Sequence, residues 1–595
     1  MARLATVATV ATDENGVVDE GVGAIEATPI IRWLQSVEGP VEQFNQTVVV
    51  DAPAGVTHAD VVAVLQGLLD RHAMLRLRVD TDEAGAWSLT VPEPGSVAAH
   101  VQSVDVLSDE ALVAGRSQLD PAAGVMLSAV WAESSSQLAL IIHHLAVDGV
   151  SWRVLLEDLN IAWAQHHSGQ PVALPAAGTS FARWSKLLSE HARDAAVVES
   201  AEAWRQVAAT PAALPAVQAG DTYLTAQNLS VELDVETTRL LLGEVPAAFH
   251  AGVNDILLIA FGMALRELLG TQGPIGIDIE GHGRHEELGA DVDLSRTVGW
   301  FTTKYPVALS VGGLDWSQIA SGATALGSLV KAAKEQLRAL PDPLTYGLLR
   351  YLNSEVAVGD SDPVIGFNYL GRMGGAAELS DEFWRLGADG LTSGAATVVA
   401  MPLAPTLELN SATIDTEAGP QLQANWTWAA SAVDAAQIGR LNQLWFEALA
   451  GICAYVRGGG GGLTPSDLVP ARLSQPQIDE LEREHQIADV LPLTPLQQGL
   501  LFHTSISHGS SDDLGELYAV QLGVTLSGPL DAQRLHDAVQ AVVRRHPHLV
   551  ARFSDHYDQP VQIIPANPVV PWQYAELDGD DVDAQVERLC AAERA

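Results

Sequence analysis

Gln137 to Trp163 reads QLALIIHHLAVDGVSWRVLLEDLNIAW, and the fold class turns on this stretch. Leu138 to Ile142 is a short apolar run of strand length, and Leu155 to Trp163 carries apolar residues at helical spacing. Gly149 falls in the turn between them. A buried strand leading through a short turn into an amphipathic helix is a building unit of mixed α/β folds. His143 and His144 lie where the strand runs out into the loop. Adjacent strand side chains face opposite ways, so one histidine is expected to face a cavity and the other the packing. Asp148, in the turn, is placed to hold the loop through a buried ion pair. The plainer alternative is a pair of core histidines satisfied by backbone groups. Two histidines with Asp and Gly following at this spacing argue against it.

A second stretch, Gly273 to Leu309, reads GPIGIDIEGHGRHEELGADVDLSRTVGWFTTKYPVAL. GIDIE alternates as a strand does, and Glu280 closes it beside Gly281 and Gly283, where backbone or ligand can approach closely. A carboxylate at a strand mouth next to His282, Arg284 and His285 is chemically loaded, although a solvated turn is the simple alternative. His143, His144, Asp148, Glu280, His282 and His285 could be assembled on paper as metal ligands. Neither stretch has the paired-ligand helix HExxH, so the expectation is no metal. A serine hydrolase is disfavoured too, because no GxSxG elbow occurs and Ser151 stands seven residues beyond His144.

Composition narrows the function classes. The chain has 595 residues, of which 47% are hydrophobic and 18% charged, so large buried cores are expected. The 32 basic and 74 acidic residues leave a net charge of −42. Such a surface repels phosphate backbones and anionic lipid heads, which argues against nucleic-acid and membrane-surface partners. Two cysteines, Cys453 and Cys590, fit a reducing cytoplasm rather than a disulfide framework. No apolar run reaches the ~18 residues of a membrane span, and the N-terminus lacks the basic-then-apolar order of a signal peptide.

The chain also repeats itself. TPIIRWLQS from Thr28 is echoed by TPLQQGLLF from Thr494. DVVAVLQGLLDRHAMLRLR, ending at Arg78, is echoed by LHDAVQAVVRRHPHLVARF, ending at Phe553. A longer loop around SHGSSDDLGE accounts for the change in offset between the two matches. Gly458 to Gly462 are five consecutive glycines followed by turn formers and one short helix, which is linker composition. No Gly-Lys-Ser/Thr follows, so the run is no phosphate loop.

Several ordered motifs carry a resemblance: TPIIRWL (28–34), HHLAVDGVSW (143–152), DIEGHGRHE (278–286), TVGWFTTKYPV (297–307), ALPDPLTYGLLRYLN (339–353) and FNYLGR (367–372). Over about residues 25–457 the chain resembles the epimerization domains of nonribosomal peptide synthetases, within the condensation-domain superfamily. HHxxxDG marks the superfamily, and the EGHGR, VGWFT-x-x-YP and FNYLGR stretches resemble epimerization domains in particular. The resemblance implies an α/β (α+β) fold of two chloramphenicol-acetyltransferase-like lobes in a V-shaped pseudo-dimer, with a partial third lobe of the same type. The expected layout is a flexible leader over 1–24, an N-terminal lobe over 25–185 and a C-terminal lobe with its connecting segment over 186–457. A Gly/Pro-rich linker over 458–488 and a truncated N-terminal part of a condensation domain over 489–595 follow.

The implied reaction is L-to-D epimerization at the α-carbon of an aminoacyl or peptidyl thioester, making the chain an isomerase of nonribosomal peptide synthesis. The resemblance makes His144 and Glu280 the two acid/base groups. His143, Asp148, Arg284, Asn368 and Tyr369 would support them, with Asp148 paired to Arg284 and Asn368 and Tyr369 lining the site. No bound cofactor is implied, since the substrate would ride on the 4'-phosphopantetheine of an upstream peptidyl carrier protein, with a condensation domain downstream. An amide-forming condensation domain and a non-catalytic carrier-docking module are the rival readings. Ile31 and Leu34 depart from the family's usual Gln and Phe, which puts the local wall in doubt and leaves the chemistry intact.

Overall fold

The structure is a computed structural model that describes residues 20–176, 178–359, 361–373, 382–391, 399–416, 418–507, 520–577 and 581–594. Most of the expected leader, 1–19, and nearly all of the SHGSSDDLGE loop lie outside the described residues. The chain divides into two compact units between Gly459 and Gly460, with residues 247–250 belonging to the second.

The first unit holds two large sheets. One has five strands in the spatial order Arg385–Leu391, Asn45–Asp51, Gln137–His143, Leu127–Ala132 and Val101–Val104. Leu138, Leu140 and Ile142 join the main core, while Ala139 and Ile141 pack on the opposite face against Leu112 and its neighbours. A strand covered on both faces reads as an unbroken apolar run rather than an alternation, which explains LALII. The helix after it is longer than its periodicity suggested. It spans Gly149–His167, and Asp148 is its N-cap, accepting from Ser151 N at 2.7 Å. Gly149 is thus the first helical residue, and the turn itself is a short 3-10 helix over His144–Ala146. An Asp before Gly-x-Ser is an N-cap signal that outranks the later start of the apolar stripe.

The other sheet has six strands in the order Thr303–Leu309, Ile275–Gly281, Ile365–Met373, Leu407–Thr416, Gly419–Trp428 and Gln227–Glu232. Its apolar face packs on the helices Val253–Leu269 and Ala435–Arg457 through a ring cluster in which Phe261 stacks on Phe367 at 5.6 Å and Trp426 meets Trp445 at 6.0 Å.

Two expectations need correction. The strand Arg385–Leu391, expected in the lobe of 186–457, pairs with Asn45–Asp51 and completes the five-stranded sheet instead. Pairing is a tertiary choice that a strand's own residues do not name. The connecting segment at the start of the lobe of 186–457 forms helices over Ala195–Glu199 and Ala201–Ala208, which bury Val197 and Trp204. The stretch after the glycines is folded too. A 3-10 helix over Pro465–Ala471 and a helix over Gln475–Glu484 bury Leu468, Ile478 and Leu481 in the core of the second unit, with Val490, Val561 and Ile563. That unit carries a three-stranded sheet of Ile487–Pro492, Val561–Pro565 and Arg552–Ser554. Among the described residues no single helix is long and apolar enough to cross a membrane.

Candidate active site

His143 and His144 separate as adjacent strand-end residues should, one to the packing and one to an opening. His143 is fully buried; its Nε2 donates to the Val41 carbonyl at 2.9 Å and its Nδ1 accepts from Leu145 N at 3.2 Å. It is a histidine satisfied by backbone. His144 retains some exposure. Its ring stacks on Phe44 at 4.9 Å, lies 4.4 Å from Trp300, and turns Nε2 to the Gln46 amide at 2.9 Å. Among the described residues its Nδ1 has no hydrogen-bond partner. Burial pushes His144 down to about 4, against the opposing pull of nearby backbone carbonyls and of Asp148. The imidazole is therefore neutral at ordinary pH, with one ring nitrogen unprotonated as a general base needs.

Asp148 does more than cap a helix. Its second oxygen accepts from Phe301 N at 3.1 Å, and Arg284 Nη2 approaches its first at 3.4 Å. Arg284 also donates to the carbonyls of Leu294 and Thr297 at 2.7 and 2.8 Å and lies 4.0 Å over the Phe301 ring. Ser151 Oγ binds both the carbonyl and the amide of Gly299, at 2.9 and 3.1 Å. Together these contacts staple the 294–301 loop to the helix start, and the loop carries Trp300 over His144. Gly283 is needed for the same fit. Its φ is +66°, and a Cβ there would lie 1.6 Å from the Phe301 carbonyl oxygen.

Glu280 belongs to the polar face of the six-stranded sheet. Strand alternation puts Ile277, Ile279, Phe367 and Leu409 toward the helices and Asp278, Glu280, Asn368, Glu408 and Asn410 on the other side. Lys304 stands directly across from Glu280 in register, binds Asp278 at 2.9 Å and lies 4.2 Å over the Trp33 ring. Asn368 Nδ2 donates to Glu280 Oε2 at 3.1 Å. Burial works against the charge on Lys304, but Asp278, Glu280 and Asp362 more than offset it, so its proton affinity is raised. Burial pushes Glu280 up to about 7; Lys304 pulls it down and Glu408 adds to the rise. Lys304 shared among several carboxylates cannot keep all of them ionised, so a proton is stored on this face near neutral pH.

The two sides meet through aromatic rings. Trp300, against His144, lies 6.2 Å from Trp33, which carries Lys304 on its own face. Trp33 stands on the helix Pro29–Gln35, where Ile31 and Leu34, the two departures from the family pattern, are fully buried. Tyr369, expected beside Asn368, instead lies on the opposite face of its strand, where its hydroxyl meets Thr413 Oγ1 at 3.0 Å. The period of two that places Asn368 at the site turns Tyr369 away from it. His282 and His285 stand 6.0 Å apart, and His285 pairs with Glu287 at 2.7 Å. Among the described residues no three His, Cys, Asp or Glu side chains gather as a metal site. Sequence reasoning missed Gln46, Phe44, Trp33, Trp300 and Lys304. Trp300 and Lys304 lie inside the quoted TVGWFTTKYPV stretch, whereas nothing local marks Gln46.

Comparison with known proteins agrees with this architecture. The condensation-domain family matches residues 30–394 and 487–594, and the chain belongs to that family. It is 33% identical over its full length to one of the linear gramicidin synthase subunits of Brevibacillus parabrevis and 30% identical, over 95% of its length, to chondramide synthase cmdD of Chondromyces crocatus. It spans only 8% and 16% of the lengths of those two proteins. Among solved structures it is similar to the epimerization domain from the third module of tyrocidine synthetase B. That match has a TM-score of 0.66 and 26% identity, and it covers 75% of this chain and all of the other. The mixed α/β fold is thus that of condensation domains.

Proposed function

We propose that the first unit inverts the α-carbon of an aminoacyl or peptidyl thioester presented on the phosphopantetheine arm of a peptidyl carrier protein in the cytoplasm. The observation that carries this reading is the pairing of a neutral imidazole, His144, with a carboxyl that holds its proton near neutrality, Glu280. Inversion needs one group to take the α-proton and another to deliver a proton to the opposite face. His144 and Glu280 sit at the ends of strands in different sheets, and their proton affinities suit those two tasks in the same pH range. In this mechanism His144 takes the proton while Glu280, still protonated, donates from the other side; the reverse direction exchanges the roles. Asn368, bonded to Glu280, orients its carboxyl. Asp148 and Arg284 act through the loop that carries Trp300. Positioned acid/base groups contribute roughly 10²–10⁴-fold each.

The test loads a carrier protein with one stereoisomer and follows product chirality. Inversion supports the reading, amide formation with an acceptor thioester would assign the chain to condensation instead, and neither activity would leave a docking role. The free amino acid should be a very poor substrate beside the thioester, because the thioester carbonyl acidifies the α-proton.

A further inference from the structure

The Trp152 indole donates its Nε1–H to Gln46 Oε1 at 2.7 Å, and Gln46 Nε2 lies 2.9 Å from His144 Nε2. An indole nitrogen can only donate, so it decides which end of the Gln46 amide is oxygen and turns the NH2 toward His144. An amide NH2 can only donate in its turn, so His144 Nε2 has to accept. A neutral imidazole that accepts at Nε2 carries its proton on Nδ1. His143 beside it has the reverse arrangement, donating from Nε2 to Val41 and accepting at Nδ1 from Leu145.

We infer that Gln46, oriented by Trp152, is a positioning residue that keeps His144 neutral, with its proton on Nδ1 and its lone pair on Nε2. Protonating Nε2 would set two N–H donors face to face, so the contact geometry opposes the imidazolium independently of burial. The charged group acting on His144 is Asp148, which Arg284 engages; His143 is buried and neutral. Phe44 and Trp300 cover the ring without adding charge. The effect on rate rests on the proposed role of His144 as an acid/base group, whereas the protonation pattern does not.

The test uses the full chain labelled with 15N-histidine, and a His144→Gln difference spectrum assigns the signal. In the unsubstituted protein, His144 should show the Nδ1–H tautomer at neutral pH. Gln46→Glu keeps the shape but offers an acceptor to both Trp152 and a protonated His144. An opposite charge at this distance should raise the proton affinity of His144 roughly tenfold to a thousandfold. The acid limb of the pH–rate profile should move to higher pH with the NMR titration. Trp152→Phe frees the amide to rotate and should give a mixture of the two tautomers; it also serves if Gln46→Glu does not fold. An Nε2–H tautomer in the unsubstituted protein, or an unchanged titration in Gln46→Glu, would overturn the inference. If the spectra follow expectation while the carrier-bound thioester is not inverted, the positioning role stands and the proposed reaction fails.

Discussion

The two copies of the repeat fold alike locally and differ in what they bury. Thr57 caps the helix His58–Arg71 and Asp531 caps the helix Ala532–Arg545; each helix runs into a short 3-10 turn and then a strand. In the first copy the helix buries Val61, Val64, Leu65, Leu68 and Leu69. In the second it buries Gln540 and Val543, while Val542, the counterpart of Leu68, is 51% exposed. The sequence around Gln46 to Asp51 forms a central strand, yet the matching Val520 to Thr525 stretch forms no strand, with Val520 96% exposed. In the first copy, the strand Asn45–Asp51 pairs with Gln137–His143, which brings the histidine motif. Among the described residues of the second unit no strand takes that place. Caps and periodicity are local instructions; burial requires partners.

That contrast assigns the chemistry to the first copy, and the largest expected effects test it there. His144→Ala and Glu280→Gln should each lower inversion by roughly 10²–10⁴-fold in a folded protein. Each should still exchange the α-proton of one enantiomer with deuterated solvent, and the enantiomer should differ between them. Inversion at the unsubstituted rate in Glu280→Gln would remove the carboxylate from the mechanism. The pH profile follows from the same pair. Both directions start from states holding one proton between His144 and Glu280, so kcat/KM should be level between about 4 and about 7. It should fall below that range as His144 gains a proton and above it as Glu280 loses one.

Asp148→Ala removes a helix cap, an ion pair and the Phe301 anchor at once. With the two side chains only 5% and 9% exposed, the loss should be about 3–5 kcal/mol in denaturant unfolding, together with reduced activity. Full stability with abolished activity would make Asp148 a chemical participant. The matched pair Leu68→Ala and Val542→Ala tests the comparison most directly. The first should cost about 2–5 kcal/mol and the second no more than ~0.5 kcal/mol; equal costs would mean that the second copy buries its helix after all. The smallest effect is expected from the boundary. A chain stopped after Gly459 should keep inversion activity, and its loss would tie the second unit to the site.

The sequence alone carried the strand-to-helix unit around His143 and His144, the Glu280 strand, the repeat and the acidic, disulfide-free character of the chain. The first two depend on spacing along a few consecutive residues, with period two for strands and near four for helices. The Asp148–Arg284 pair was legible only through the resemblance, because 136 positions separate its members. Tertiary structure alone decided that Arg385–Leu391 joins the five-stranded sheet, that Tyr369 turns away from Glu280, and that Gln46, Trp300 and Lys304 surround the two titrating groups. It also decided their protonation. An isolated histidine and glutamate titrate near 6.5 and 4.3, and only burial with particular neighbours moves them to about 4 and about 7. Local pattern specifies which way a side chain points, while what it meets there depends on segments brought in from elsewhere in the chain.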